Sequence, residues 1–176
     1  QPVGSISGGF ITFDPAVAAV NTTITVDCVC EMNLLTGDTV NLKLPGFVLR
    51  VIGRWPKSIA WKSAELFGPL TGSPLADKLR ECHIYLTASR WEPCGMHHVE
   101  GAQCGLPLVY HEDGGGIVEA GKKYGVGYRH DPSLAVREVA ERLPEFRKKV
   151  LANMPSGDRM AMDYADVCRQ LVGFGN

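Results

Sequence analysis

Hydrophobic positions alternate with polar ones early in the chain and fall into short apolar runs and helical stripes later. Ile24, Val26, Cys28 and Cys30 recur at period two, and so do Val40, Leu42 and Leu44 after a Thr36-Gly37-Asp38 turn. Period two marks strands with one buried face, so two or three antiparallel strands are predicted there. Residues 48–52 form an apolar strand, and 61–67 reads as another, leading into Gly68-Pro69. A short helix is predicted over 77–82, with Ser73 and Pro74 to cap and start it. Ile84-Tyr85-Leu86 is the next strand. Pro93 and Gly95 then break the chain, a helix starts near Gly95 or Met96, and Gly105 ends it by taking positive φ. A strand over 106–110, a helix over 117–123 closed by Gly125, and a strand over 126–128 follow. Asp131-Pro132 supplies a cap and a first-turn proline for a helix to about Leu143. Leu134, Val136, Val139 and Ala140 give that helix its apolar face, and Pro144 stops it. A last helix is expected from about Asp158 to Leu171.

From residue 48 onward strands and helices alternate. That rhythm implies an α/β fold: a Rossmann-like parallel sheet with helices on both faces over residues 48–176. Residues 1–47 are set apart as a β-rich N-terminal segment. In such a sheet the loop carrying Glu92 lies at the carboxyl edge of the strands, where open α/β sheets bind ligands.

Composition narrows the picture. A chain of 176 residues with 45% hydrophobic residues can build one sizeable core. A net charge of −1 leaves no basic surplus for nucleic acid or an anionic membrane. No apolar run approaches the ~20 residues that span a bilayer. No signal peptide is visible, and the start at Gln1 reads as a piece cut from a longer protein. The six cysteines lack a Cys-x-x-Cys pair, so they read as reduced, mostly buried thiols of a cytosolic protein. The expected location is the cytoplasm, free or peripheral at a membrane.

The chemistry concentrates between Ser89 and Glu119. Glu92 falls in a loop, and Glu100 follows with seven residues between them. Met96, Glu100 and Cys104 are four apart and share one helix face. Two carboxylates can then grip the two ends of an extended ligand. The free N–H groups of the helix start, near Cys94, Gly95, Met96 and His97, favour a phosphate between them. A nucleoside diphosphate carrying a sugar has that shape. Gly114-Gly115-Gly116 resembles a phosphate nest, or alternatively a loop that needs positive φ. Arg54 and Lys57, after the 48–52 strand, can meet phosphate or form a solvated basic loop. His97 and His98, at a helix start, read as packing or capping residues rather than metal ligands. Cys94 beside them raises a thiol nucleophile, but no Asn or Asp orienter stands out. Met154, Met160 and Met162 read as core or interface filler.

Ser89-x2-Glu92-Pro93-Cys94-Gly95-Met96-x3-Glu100-x3-Cys104-Gly105-Leu106-Pro107, followed by Gly115-Gly116-Ile117-Val118-Glu119, resembles the donor-binding, C-terminal half of a GT-B glycosyltransferase. The type is the retaining glycosyltransferase family 4, or group 1. The resemblance runs from about Phe67 to Tyr128 and weakly beyond. It implies one half of a GT-B fold and sugar transfer from a nucleotide-sugar to an unknown acceptor, with retention and without a bound metal or other cofactor. The donor would be UDP-, GDP- or ADP-linked and the enzyme of hexosyltransferase type. The resemblance implies that Glu92 contacts the donor sugar and Glu100 the ribose hydroxyls. Cys94 stands where the family carries an aromatic or aliphatic residue. The family's phosphate-gripping Arg and Lys follow an earlier strand than Arg54 and Lys57 do. An N-terminal Rossmann-like domain that takes the acceptor is expected elsewhere in the protein, so the isolated chain would be inactive. The alternative is a non-catalytic nucleotide-sugar-binding or interaction module, a remnant of such an enzyme.

Overall fold

The computed structural model of the chain describes residues 24–28, 39–41, 46–54, 60–62, 64–92 and 95–173. Strands β1 (Ile24–Cys28), β3 (Phe47–Ile52), β5 (Ala64–Phe67), β6 (Ile84–Thr87), β7 (Leu108–His111) and β8 (Gly125–Tyr128) form one six-stranded sheet. Its order is β5-β3-β1-β6-β7-β8, and every pairing is parallel. The chain steps outward from β1 through β3 to β5, then returns to the other side of β1 with β6. This is the doubly wound order of Rossmann-like sheets, and the reversal falls between β1 and β6. Strands β2 (Thr39–Asn41) and β4 (Ala60–Lys62) pair as a separate two-stranded parallel sheet.

Every residue of β6 and β7 is buried. Strands buried on both faces need helices on both faces, which parallel crossovers supply. Alternation along the strands divides the core in two. Ile84, Leu86 and Val109 point to one face, where Ala135, Val136 and Val139 of helix α4 (Ser133–Glu141) pack. Tyr85, Leu108 and Tyr110 point to the other. There they meet Leu79 of α1 (Gly72–Arg80), Ala102 of α2 (His97–Gln103), and Ile117 and Tyr124 of α3 (Ile117–Tyr124). Burying each large apolar side chain contributes about 1.5–3 kcal/mol. The architecture is that of the Rossmann-like half of a GT-B fold. Among the described residues no helix is long and apolar enough to cross a membrane.

Several expectations are corrected. The 24–28 strand is not part of an antiparallel group. It lies inside the large sheet, with Val26 opposite Leu49 on one side and Ile84 on the other, both parallel. Period two reports a strand but not the direction of its neighbours, which long-range pairing decides. Residues 30, 42 and 44 lie outside the described ones. The single strand expected over 61–67 is two, β4 and β5, pairing in different sheets. Helix α1 starts at Gly72, with Thr71 rather than Ser73 at its cap. Pro144 does not end the helical region. It sits in the first turn of α5 (Leu143–Ala152), where a proline costs no hydrogen bond. Leu134 is 79% exposed, and the inward face of α4 runs through Ala135 instead. Helix α6 (Gly157–Leu171), capped by the Ser156 hydroxyl, buries none of its residues, so Met160 and Met162 are not core filler. The end of α2 follows expectation: Gly105 has φ 82°, with Gly105 N–H donating to Ala102 O and Leu106 N–H to Gly101 O. That pair of bonds is a Schellman cap.

Candidate functional site

The loops after β6 and β7 are joined beyond the strand ends. Trp91 N–H donates to Asp113 O at 2.7 Å, and Gly116 N–H to Glu92 O at 2.9 Å. Glu92 and Gly115 form an isolated parallel bridge, so the β6–β7 pairing resumes there. Gly115 has φ 72°, and a β-carbon on it would sit 2.4 Å from the Glu92 carbonyl oxygen. Gly114 N–H donates to His111 O at 2.8 Å. Two N–H groups of the glycine run are therefore taken by protein carbonyls. The run is a place of close backbone approach, not an open phosphate nest.

Further hydrogen bonds brace these loops from below. His111 Nδ1 accepts from Asp113 N–H at 3.0 Å, and its Nε2 lies 2.7 Å from Arg129 O. The proton is therefore on Nε2, and the ring is neutral. Burial holds its pKa below the ordinary histidine value. The Tyr128 hydroxyl donates to Thr87 O, at the end of β6. Trp91 stands at φ 51°, an uncommon conformation for a bulky residue, and its side chain is 61% exposed. Backbone strain of this kind gathers at binding and catalytic loops.

Glu92 turns inward. Its Oε2 lies 3.7 Å from His97 Nε2, and its side chain is 22% exposed. His97 Nδ1 is 3.0 Å from the Tyr85 hydroxyl. His97, His98, Gly101 and Ala102 form the buried side of α2. Met96 and Glu100 are exposed. Glu100 borders a cavity of about 240 Å³ between α1 and α2, lined also by Leu75, Arg80 and Cys104 but not by Glu92. Thus the helix face shared by Glu100 and Cys104 is real, while Glu92 sits apart from that cavity. Helix α2 has only seven residues, so its dipole is short.

Arg54 follows Gly53 at the carboxyl end of β3 and is exposed. It lies at the same carboxyl edge of the sheet as the Glu92 loop, on the strand two places from β6. Gly95 is buried beside Glu92. Cys94 and Lys57 lie outside the described residues. His98 packs edge-on to His97, and burial, followed by the charge of His97, lowers its pKa to about 4. Of the packing or capping expected for the two histidines, both rings are buried and no side chain caps α2. The sequence alone does not single out Tyr85, or Trp91 as a strained residue. Tyr85 sits in an apolar run that looks like plain core, and φ is not visible in a residue name. Among the described residues no group of three or more His, Cys, Asp or Glu side chains is placed to hold a metal ion.

The chain is similar to a known family across this whole region. The model of the glycosyl transferases group 1 matches residues 60–155, more than half of the chain. The match covers β4 through α5 and therefore both joined loops. No curated protein matches the chain. Glycosyl transfer is the chemistry of the group. With the doubly wound half-fold and a carboxylate loop at its switch point, the match places the chain: it belongs to the group 1 glycosyl transferases.

Proposed function

We propose that this chain binds the nucleotide-sugar donor of a sugar transfer that proceeds with retention at the anomeric carbon. One observation carries the reading. The Glu92 loop leaves β6 at the topological switch point beside β1, where doubly wound sheets bind nucleotides, and is hydrogen-bonded into the next loop. Glu92 then takes hydroxyl groups of the donor sugar, and Glu100 the ribose hydroxyls. Gly95 and Met96 border the diphosphate with Cys94, and Arg54, at the carboxyl end of β3, supplies positive charge together with Lys57. Charge that builds on the departing diphosphate is stabilised by those donors and cations, which is an electrostatic role. The donor is UDP-, GDP- or ADP-linked, and no divalent metal is required. The acceptor is held by a second Rossmann-like domain elsewhere in the protein.

Calorimetry with UDP, GDP and ADP and their sugars, in buffer with a chelator, tests this. Binding of one nucleotide and its sugar in the micromolar to millimolar range is the expected result. No binding of any at millimolar concentration rules the donor reading out.

A further inference from the structure

We propose that His97, braced by Tyr85, is a positioning residue that holds the Glu92 carboxylate for the donor sugar. The inference rests on the donor reading of Glu92 given above.

Three polar groups run from the core to the site: the Tyr85 hydroxyl, the His97 ring and the Glu92 carboxylate. Tyr85 is 1% exposed and His97 7%, so both are held by the fold. The hydroxyl and Nδ1 are 3.0 Å apart, and the two rings stack with centroids 5.8 Å apart. Glycines stand where this chain of groups needs room. A β-carbon on Gly95 would lie 3.0 Å from Glu92 Cγ and 3.1 Å from His97 Nε2. A β-carbon on Gly101 would lie 2.5 Å from the Tyr85 ring. One glycine lets the carboxylate meet the imidazole, and the other lets the tyrosine reach it.

Proton placement follows from the partners. An ionised carboxylate only accepts. A neutral His97 therefore presents Nε2–H to Glu92, and its Nδ1 accepts from the Tyr85 hydroxyl. The opposite tautomer would set a nitrogen lone pair against the carboxylate. At 3.7 Å the Nε2–carboxylate contact is electrostatic and longer than a hydrogen bond. Among the described residues, Tyr85 from β6, Glu92 from the loop and His98 from its own helix are titratable groups that face His97.

Two measurements on the whole chain test the proposal. Imidazole ¹⁵N NMR comes first and needs no ligand. We expect the Nε2–H tautomer at neutral pH, and a changed Nε2 resonance in Glu92→Gln, because the carboxylate facing that N–H is then gone. Tyr85→Phe should make the tautomers mix. The Nδ1–H tautomer, or an Nε2 resonance unmoved by Glu92→Gln, overturns the contact. Affinity comes second, with whichever of UDP, GDP or ADP binds wild type best and its sugar. His97→Leu should weaken the nucleotide-sugar roughly tenfold, about 1.4 kcal/mol, and leave the diphosphate within about twofold. His97→Gln, which keeps an N–H, should recover part of the loss. Equal losses for both ligands overturn the positioning role. If wild type binds neither ligand, the donor reading fails, while the NMR result still decides whether His97 holds Glu92.

Discussion

Glu92 rests on Gly115 so closely that no other residue fits beneath it: a β-carbon there would stand 2.4 Å from the Glu92 carbonyl oxygen and 2.9 Å from its nitrogen. The carboxylate proposed to meet the donor sugar is thus placed by the backbone of the following loop. Gly115→Ala brings both a clash and a strained positive φ, costing on the order of 1–3 kcal/mol or more. For a chain of this size we expect Tm to fall by roughly 3–10 °C, with weaker nucleotide-sugar binding. Gly105 is the control. It has φ 82°, but a β-carbon added to it would meet nothing within 4 Å, so Gly105→Ala should cost only about 1 kcal/mol and leave binding alone. Thermal melts and titrations of the two variants check this. Equal behaviour would mean the contact with Glu92 does not constrain the loop.

Acid should weaken the fold through its histidines. Burial lowers the pKa of His98 to about 4 and also lowers those of His83 and His111. As pH falls through the ordinary value near 6.5, the unfolded chain takes protons that the folded chain refuses. Stability is therefore full above about pH 6.5 and declines as the pH approaches 4. Glu81 and Glu145, held low by Lys78 and Arg142 respectively, act below about pH 4.5, so urea unfolding between about pH 5 and 7.5 isolates the imidazoles. His98→Gln should remove part of that slope, on the order of 1–2 kcal/mol across the window. An unchanged slope would show that His98 is not buried as a neutral ring.

His111 offers a local version of the same effect. Its Nδ1 accepts from Asp113 N–H, and Asp113 O in turn holds Trp91 N–H. Protonation of Nδ1 breaks the first bond and loosens the loop under Glu92. Amide exchange at Asp113 and Trp91 should therefore quicken as pH falls below the ordinary histidine range, after correction for intrinsic rates. His111→Gln should show the fast exchange at every pH. Exchange that tracks only global unfolding would separate the loop from the titration.

Much of this fold is legible in the sequence where a pattern is local. The apolar runs at 84–86 and 106–110, the glycine at 105 and the alternation of strand and helix all report their own conformation. What is not legible depends on distant partners. The 24–28 segment alternates like a half-buried antiparallel strand, yet parallel pairing to β3 and β6 puts it inside the sheet. Pro144 carries the same name whether it ends a helix or begins one, and only the packing of Phe146 and Val150 selects α5. At the site, Glu92 and Glu100 stand out by spacing and flanking motif. The glycine run looks like a nest because its partner, the Glu92 carbonyl, comes from a loop some twenty residues earlier. Tyr85 and His97 are hidden for the same reason: their meaning lies in the 3.0 Å between them.

The two carboxylates should separate by ligand. Glu100 is exposed on α2, and the proposal has it accept hydrogen bonds from the ribose, which nucleoside diphosphate and nucleotide-sugar share. Glu92 is turned in toward His97, and the proposal has it meet the sugar, which only the full donor carries. A hydrogen bond to a charged acceptor contributes about 1.5–3 kcal/mol, or roughly tenfold to a hundredfold in affinity. Glu100→Gln should then weaken both ligands alike. Glu92→Gln should leave the diphosphate nearly unchanged and weaken only the nucleotide-sugar. Glutamine keeps the shape and one acceptor, so the losses should fall at the low end of that range. Structural carboxylates would behave differently, lowering Tm in both variants without a split between ligands. Dissociation constants for the two ligands against wild type and both variants, with melting temperatures alongside, decide the matter. Equal effects of the two substitutions on both ligands would contradict the assignment of roles even where binding itself is confirmed.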